Sequence, residues 1–352
     1  MNLNCYYRIK TGRQGGAAYS ASMRTKKPTG VFENLKTLLA AVVLSSGIIF
    51  SSSGTDLFAA DAFNSLTTLA PFDAAAIQEP AGPAPFPGPL KSAPALNAYF
   101  INVGQGDSEY IELPNGKNVL IDGGPNPTTP LEQFLSQHHV AKIDYVVLTH
   151  PHLDHYSGLE YVFSHLQVSN FYDTREDNTG AATIKSLRAK INAMGVNVLY
   201  PAAGDTLNWD PGEVQVKVLN GCPTPGATNS GPVLNDCSIV IKVTYRNTSI
   251  LYTGDMQADV EATLVSTYGS QLQADVLKVG HHGSKTASSV AFLNMVRPKT
   301  AYIEVGAGNT FGFPAQITLS NLQALGTAVY RTDLSGTQEY VISGIKKDLQ
   351  EP

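Results

Sequence analysis

The residues best suited to chemistry follow a short apolar segment. Residues 143–149 have the composition of a buried strand, and His150, His152, Asp154 and His155 come directly after it. Imidazole nitrogens and carboxylate oxygens are the ligands that hold Zn²⁺ or Mn²⁺ in hydrolytic centres. A polar turn that caps the next helix would need only one such residue, Asp154 as the N-cap. The spacing therefore predicts a metal site at the carboxyl end of this strand.

Two later apolar segments end in the same way. The run Asp275–Val279 is followed by His281 and His282, and the run Ser249–Tyr252 is followed by Asp255 in Thr-Gly-Asp. Five of the eight histidines of the chain lie in the two histidine clusters. A lone histidine of this kind would usually be structural, but three strand ends that all carry ligands predict one metal cluster on a single rim of a sheet.

Strand and helix patterns alternate along the rest of the chain. Residues 73–96 are rich in Ala and Pro, which predicts a linker over residues 63–96, followed by a folded domain over residues 97–346. This order predicts an α/β domain with hairpins. We expect strands at 98–103, 108–113, 118–122, 214–219, 238–245 and 248–252, and helices at 129–138, 183–194, 258–267 and 288–295.

Several motifs resemble those of the metallo-β-lactamase superfamily, whose signature is His-x-His-x-Asp-His. Within that superfamily, residues 97–343 are similar to the extracellular hydrolase domain of ComEC-type competence proteins, a branch that also includes choline-phosphate esterases of teichoic acid. The resemblance implies a four-layer αββα sandwich, with two mixed sheets face to face and helices outside. The motifs are Gly104–Asp107 (GQGD), Leu120–Gly124 (LIDGG), Leu148–Gly158 (LTHPHLDHYSG), Thr253–Asp255 (TGD), Leu277–Ser284 (LKVGHHGS) and Tyr330–Gly336 (YRTDLSG).

The resemblance also implies metal ligands. His150 and His152 would bind one divalent ion, Asp154 and His155 would bind a second, and Asp255 would bridge both, with Zn²⁺ or Mn²⁺ as the expected ions. Two ions about 4 Å apart lower the pKa of a shared water, hold the resulting hydroxide for in-line attack and neutralise charge in the transition state. Asp154 is also a candidate proton acceptor in that reaction.

The last ligand of each ion is less clearly marked. His282 is favoured for the second ion, because the superfamily ligand directly precedes a small residue or Asp, and His281 would then donate a hydrogen bond to a substrate phosphate. The reverse assignment is the alternative. The superfamily has a further histidine on the first ion, but Asn235 and Asp236 occupy that region here. The first ion is therefore held by Asp236, held by fewer ligands or loosely bound, and a single bound ion stays open.

Supporting and substrate-binding roles are implied for four further residues. Asp122 is predicted to orient a ligand histidine by a hydrogen bond, and Asp107 to support the metal loop through a turn. Ser284 either donates to phosphate or caps the following helix. Asn309 is a candidate substrate-binding residue at the start of Asn-Thr-Phe-Gly-Phe-Pro, in which Phe313 stands where the family has a histidine. At position 313 the chain thus lacks the family's imidazole, which could contact phosphate or transfer a proton.

The charge distribution limits the partners. Residues 1–37 carry seven Lys or Arg and one acidic residue, a net of +6, so residues 38–352 carry 17 basic and 28 acidic residues, a net of −11. Stable binding of duplex DNA is not expected from an acidic body, because that affinity comes mainly from cations that contact phosphates. A metal site that acts on a single phosphodiester is still compatible with this charge, since the metal supplies local positive charge.

The basic start precedes an apolar run, Leu38–Phe50. Its 13 residues are fewer than the roughly 20 that cross a bilayer, and the small residues after it are typical of a secretory signal. We therefore predict that residues 1–62 are a signal peptide, with a membrane anchor through residues 38–50 as the alternative. Either one predicts a domain that is secreted, periplasmic or extracellular.

Cysteine is sparse in the expected domain. Cys5 lies in the predicted leader, and Cys222 and Cys237 are separated by 15 positions. In an oxidising compartment these two would form a disulfide, with a loop-closure gain of about 3 kcal/mol. Two unpaired thiols are equally compatible with the sequence.

These features favour an exported, metal-dependent hydrolase of phosphodiester bonds. The substrate would be DNA for a nuclease, or a teichoic-acid-like polymer for a cell-envelope phosphoesterase, which the acidic body favours slightly. The alternative is a catalytically weak or inactive module that binds DNA or wall polymer. The complete signature favours the enzyme, whereas the missing histidine and Phe313 favour the module. A role in DNA transport would need a membrane-channel partner.

Overall fold

The computed structural model describes residues 94–222, 228–229 and 231–343, the middle pair by its backbone only. The predicted leader over residues 1–62, nearly all of the predicted linker and the last three positions of the predicted domain lie outside these ranges. Among the described residues, no helix combines the length and the apolar character needed to span a membrane. The apolar run at 38–50 is not among them.

The described residues form strands and helices in alternation. The strands are β1 (Leu96–Phe100), β2 (Glu109–Glu112), β3 (Asn118–Ile121), β4 (Lys142–Val147), β5 (Gln167–Tyr172), β6 (Asp177–Asn178), β7 (Asn197–Leu199), β8 (Val214–Asn220), β9 (Thr228–Asn229), β10 (Val240–Tyr245), β11 (Thr248–Tyr252), β12 (Val276–Lys278), β13 (Thr300–Ile303), β14 (Ala328–Arg331) and β15 (Gln338–Ile342). The helices are α1 (Thr129–Gln137), α2 (Leu153–Tyr156), α3 (Leu159–His165), α4 (Thr183–Ala193), α5 (Ala258–Tyr268), α6 (Val290–Val296), α7 (Gln316–Ala324) and α8 (Thr332–Ser335).

Two mixed sheets contain most of these strands. The first has the order β15-β1-β2-β3-β4-β5-β7, antiparallel from β15 to β3 and parallel from β3 to β7. The second has the order β14-β13-β12-β11-β10-β8, parallel from β14 to β11 and antiparallel from β11 to β8. The two predicted hairpins, β2 with β3 and β10 with β11, are confirmed.

Three apolar clusters separate the layers of the domain. The central cluster contains side chains of both sheets, such as Phe100 and Tyr172 of the first and Val216 and Tyr252 of the second, so the sheets pack face to face. A second cluster packs the first sheet against α1, α3 and α4, and a third packs the second sheet against α5, α6 and α7. Both faces of each sheet are therefore covered. The predicted four-layer αββα sandwich is confirmed.

Two predicted elements are displaced by polar contacts. The strand expected at 98–103 lies at Leu96–Phe100, because the chain turns after Ile101, where the Val103 N–H donates to the Ile101 carbonyl oxygen at 2.9 Å. The helix expected at 288–295 begins at Val290, because Ser289 is its N-cap and accepts a hydrogen bond from a backbone N–H of the first turn. The other predicted elements lie within two residues of their observed bounds.

The strand ends that carry the predicted ligands meet at one rim. In the first sheet β4 ends just before His150, and in the second sheet the parallel neighbours β11 and β12 end just before Asp255 and His281. The two rims are joined by a hydrogen bond of 2.9 Å from the Ile239 N–H to the Thr149 carbonyl oxygen. Loops from both sheets therefore converge on one place, where the histidines lie.

Candidate metal centre

Asp255 lies in the middle of the histidine cluster. Its Oδ2 atom is 3.4 Å from Nε2 of His155 and 3.4 Å from Nε2 of His282. The same oxygen is 3.9 Å from Nε2 of both His150 and His281. The turn after β11 thus directs one carboxylate at four imidazoles that come from both sheets, which is the position expected of a bridging ligand.

The possible ligands form two neighbouring sets. Within each set, one imidazole or carboxylate atom of every residue lies within 4.8 Å of the others. The sets are His150, His152 and Asp255, and Asp154, His155 and His282. These are the groupings that the sequence predicts for a first and a second ion, and the structure brings both together; the ligand roles themselves stay predictions.

Unsatisfied buried atoms show that this site fits a cation. His155 Nε2, His282 Nε2 and Asp255 Oδ1 are buried and have no hydrogen-bond partner among the described residues. Buried polar atoms nearly always have such a partner. Imidazole nitrogens and a carboxylate oxygen that share one small space form a donor set that suits a divalent ion.

Buried acidic side chains outnumber the basic ones around the centre. Lys278 is fully buried and forms an ion pair with Asp107. Buried charges that lack a partner cost several kcal/mol, and a bound divalent ion is often the largest positive charge of such a site. An ion here would therefore offset the negative charge of the carboxylates whose pKa is held low, those of Asp107, Asp154 and Asp255.

The histidine pKa values shift in two directions. Burial disfavours a charged imidazole, but the Asp255 carboxylate opposes it and raises the pKa of His155 and of His282 well above 6.5. Burial, and then repulsion by His155, lowers the pKa of His150 and His152 below 6.5. His150 and His152 are therefore neutral at pH 7, as metal ligands must be, whereas His155 and His282 would exchange a proton for an ion.

Asp122 holds the loop that contains the signature. Its Oδ2 atom is 2.7 Å from Nδ1 of His155, and its carboxylate accepts hydrogen bonds from the N–H and the hydroxyl of Thr149 at 2.8 and 2.6 Å. The side chain is completely buried. Because Nδ1 of His155 donates to Asp122, Nε2 faces Asp255. The structure therefore places Asp122 where the predicted orienting role requires it.

Asp107 does more than support a turn. Its Oδ1 atom is 3.0 Å from Nδ1 of His282, which also lies 3.0 Å from the Glu304 carbonyl oxygen. The other oxygen, Oδ2, pairs with Lys278. These contacts turn Nε2 of His282 toward Asp255. The predicted loop contact is also present, since the Asp107 N–H donates to the backbone oxygen of Asp154 at 3.3 Å.

His281 lies on the solvent side of His282. Its side chain is 20% exposed, against 2% for His282, and its Nδ1 is 3.1 Å from the Thr286 hydroxyl. Its Nε2 is 3.4 Å from the Asn235 amide nitrogen. These positions favour His282 as the ligand and leave His281 facing the approach to the site.

Asn235, rather than its neighbour, faces the centre. The Asp236 carboxylate, which was a predicted ligand of the first ion, accepts a weak hydrogen bond of 3.4 Å from the Gln257 amide. Asn235 is buried, contacts His281, and leaves its Oδ1 without a hydrogen-bond partner among the described residues. The 3-10 turn Gly231–Cys237 thus directs the Asn235 amide toward His281 and the Asp236 carboxylate toward Gln257.

Two predicted substrate-binding residues are bonded within their own loops. The Ser284 hydroxyl is 3.0 Å from the Thr286 hydroxyl and accepts the Thr286 N–H at 3.2 Å. The predicted capping alternative is wrong, because Ser289 caps α6. The Asn309 side chain donates to the carbonyl oxygens of Gly306 and Phe313 at 3.1 and 2.8 Å, so its amide is used to hold the loop.

The sequence reasoning missed Lys278, Glu304 and Thr149. Lys278 and Glu304 are charged residues inside apolar strand segments, Val-Leu-Lys-Val and Tyr-Ile-Glu-Val, and that contrast was the signal available. The alternative left open for Cys222 and Cys237 is also decided, since they form a disulfide. This bond ties the end of the turn Gly231–Cys237 to the segment after β8.

Known proteins with similar sequences include competence proteins. ComE operon protein 3 of Bacillus subtilis is 29% identical over 260 residues, which cover 68% of this chain and 32% of that protein. Competence protein ComA of Neisseria gonorrhoeae is 28% identical over 241 residues, which cover 68% of this chain and 31% of that protein. The chain therefore spans about a third of the length of these relatives. The metallo-beta-lactamase fold protein YhfI from Bacillus subtilis has a TM-score of 0.47 at 12% identity, over 70% of this chain and 99% of that one, a likeness too low to carry an argument.

The family follows from a match over most of the described domain. A family model for the metallo-beta-lactamase superfamily matches residues 101–306, more than half of the 352 residues. That range contains the signature, Asp255 and both histidines after β12. The predicted resemblance is confirmed, and the chain belongs to the metallo-beta-lactamase superfamily.

Proposed function

We propose that the chain is a metal-dependent hydrolase that cleaves phosphodiester bonds. One observation carries the proposal: the Asp255 carboxylate lies between His150 and His152 on one side and Asp154, His155 and His282 on the other. Buried atoms of Asp255, His155 and His282 lack hydrogen-bond partners within the described chain. That is the arrangement of a binuclear hydrolytic site. Zn²⁺ or Mn²⁺ suits its nitrogen and oxygen donors.

Two divalent ions bound to these sets would lower the pKa of a water and offset negative charge on phosphate. Asp154 is the residue suited to take the proton of that water. Its side chain is 35% exposed, whereas the Asp255 side chain is 3% exposed. Burial opposes ionisation of Asp154, but His155 and His282 outweigh it and hold its pKa below 3.8. Asp154 is thus an ionised carboxylate that substrate and solvent can reach.

His281 is the residue suited to contact the phosphate. The Thr286 hydroxyl, 3.1 Å away, can donate to Nδ1, which leaves the proton on Nε2. Burial lowers the pKa of His281 below 6.5, so the neutral form donates through that Nε2–H. A substrate phosphate bound to the ions would receive this hydrogen bond.

The choice of polymer rests on weaker support. One relative is named a competence protein, which supports DNA as the substrate and a membrane-channel protein as the partner. The net charge of −11 over residues 38–352 supports a teichoic-acid-like polymer of the cell envelope instead, since it disfavours stable binding of duplex DNA. The basic start with its apolar run supports export or anchoring of the chain.

The test combines metal content with turnover. The full chain, loaded with Zn²⁺ or Mn²⁺, should bind metal stoichiometrically and hydrolyse bis(p-nitrophenyl) phosphate. Asp255→Ala should abolish turnover, because it removes the shared ligand. Glu160→Ala is the matched control, since it removes a carboxylate from the exposed face of α3 that is 57% exposed, and its turnover should be unchanged.

Absence of bound metal and of turnover would favour a second candidate function, that of a binding module. The family's third histidine is absent at the first ion and Phe313 replaces another imidazole, which supports a module that binds DNA or wall polymer without cleaving it. A chain that holds no stoichiometric metal and shows no turnover with either ion would overturn the hydrolase and leave this module.

A further inference from the structure

Aromatic rings lead outward from the metal centre. The ring of Phe313 lies 6.2 Å from that of His282 at an interplanar angle of 29°, and 5.4 Å from that of His281. The ring of Phe311 stacks on Phe313 at 5.6 Å and 18°. We call Phe311, Phe313 and His282 the aromatic ladder. Its inner end is a predicted metal ligand, and its outer end is Phe311, which is 66% exposed.

The loop that carries the two phenyl rings is held by Asn309. The side-chain oxygen of Asn309, Oδ1, accepts hydrogen bonds from the backbone N–H groups of Phe311 and Phe313 at 3.2 and 3.0 Å. Its side-chain NH2 group donates to the carbonyl oxygens of Gly306 and Phe313. Gly283 adds a close approach on the inner side, since a Cβ atom there would lie 2.6 Å from Pro314. Hydrogen bonds of Asn309 therefore already hold the loop that carries Phe311. A ligand that binds to this ring would cause little further loss of conformational entropy in the loop.

An exposed phenyl ring alone would need no explanation. Here the ring continues a row of rings that ends at His282, with centroid spacings of 5.6 and 6.2 Å, so a base on Phe311 and a phosphate at the ligand sets could belong to one short oligomer. Stacking on aromatic side chains is how proteins hold unpaired nucleobases, and it depends little on base identity. In a duplex the base faces are covered by their neighbours, and a polyol phosphate has no such face.

We infer that Phe311, backed by Phe313, is a stacking subsite for an unpaired nucleobase of a strand whose phosphodiester binds at the metal centre. This inference rests on the proposed function and makes single-stranded nucleic acid the substrate class. An acidic body with a net of −11 over residues 38–352 adds little cationic attraction for a polyanion, so stacking and the bound ions would supply the affinity. The subsite gives Phe313, which replaces a family histidine, a role in specificity.

The experiment compares two oligomers with the same phosphates. One is a short oligothymidylate, and the other has the same length but carries abasic tetrahydrofuran residues. Cleavage by the full chain loaded with Mn²⁺ and binding by fluorescence anisotropy are measured for wild type, Phe311→Ala and Phe311→Tyr. Leu334→Ala is the control for loss of an exposed apolar side chain, since Leu334 is 72% exposed on α8.

We expect Phe311→Ala to lower kcat/KM or affinity for oligothymidylate by about 5- to 150-fold, the range for removal of one stacking platform. Phe311→Tyr and Leu334→Ala should stay near wild type, and the abasic oligomer should be handled equally by all variants. Equal effects on both oligomers, or none on either, would overturn the subsite.

The two proposals can fail separately. Turnover without any dependence on bases or on Phe311 would retain the hydrolase and remove the subsite. Binding of oligothymidylate that depends on Phe311 without cleavage would retain the subsite and remove the hydrolase. Absence of both binding and cleavage would overturn the two together.

Discussion

Lys278 tests how the buried charges beneath the metal centre are held. Its ammonium group is fully buried, pairs with Asp107, and lies 3.4 Å from the Gly254 carbonyl oxygen. Lys278→Met roughly preserves the side-chain volume but leaves Asp107 buried without its cation. Removal of one partner of a buried ion pair costs about 3–5 kcal/mol, whereas a swap that only conserves volume costs less than about 1.5 kcal/mol. For a domain of this size, the larger loss lowers the melting temperature by about 6–20 °C.

Urea unfolding of the full chain, followed by circular dichroism, would measure this loss. Lys299→Met is the control, because Lys299 is 81% exposed and its pair with Asp275 should contribute less than about 1 kcal/mol. The double variant Lys278→Met/Asp107→Asn removes the isolated charge and should recover at least about 1 kcal/mol. A loss below about 1 kcal/mol in Lys278→Met, or strict additivity in the double variant, would refute the reasoning.

Three further predictions concern groups near the centre. Asp122→Asn should weaken metal binding by about 10- to 100-fold in a chelator competition, because the carboxylate that orients His155 is lost; unchanged affinity would contradict that role. Burial and the neighbouring Asp107 raise the pKa of Glu109 from 4.5 to about 8, so the native state retains a proton there that the unfolded chain releases. Native stability is therefore lost as pH rises from about 4.5 to 8, and Glu109→Gln should remove this fall; parallel urea-unfolding profiles of variant and wild type between pH 5 and pH 9 would count against it. Replacement of Cys222 and Cys237 by Ser should lower the free energy of unfolding by about 3 kcal/mol, since the disulfide closes a loop with a separation of 15 residues; equal stabilities under oxidising conditions would show that the bond does not constrain the unfolded chain.

Much of the centre could be predicted because its chemistry is local in sequence. Four possible ligands lie between His150 and His155, and strands that end before Asp255 and His282 must deliver them to a sheet rim. The contacts that orient the ligands are not local. Asp107 meets Lys278 across a separation of 171 residues, and no pattern in either segment identifies the other.

The sequence also does not show which of two adjacent polar residues faces the centre. Asn235 and Asp236 are adjacent, and only the course of the 3-10 turn shows that the amide meets His281 while the carboxylate meets Gln257. Asn309 looked like a substrate-binding residue, yet its amide is used within its own loop. In both cases side-chain direction depends on backbone angles that residue type does not specify.

The sequence by itself identified the superfamily through its motifs, and that resemblance implied the layered fold. Residue type, spacing and strand ends brought together the candidate ligands, with the choice between His281 and His282 left open. The tertiary structure decided which atoms of those residues face one another. It placed the Asp255 carboxylate among four imidazoles, set Asp107 and Asp122 against His282 and His155, and stacked Phe311 on Phe313 beside the centre. These arrangements depend on how two sheets and their loops pack, and packing is a property of the whole chain rather than of any segment.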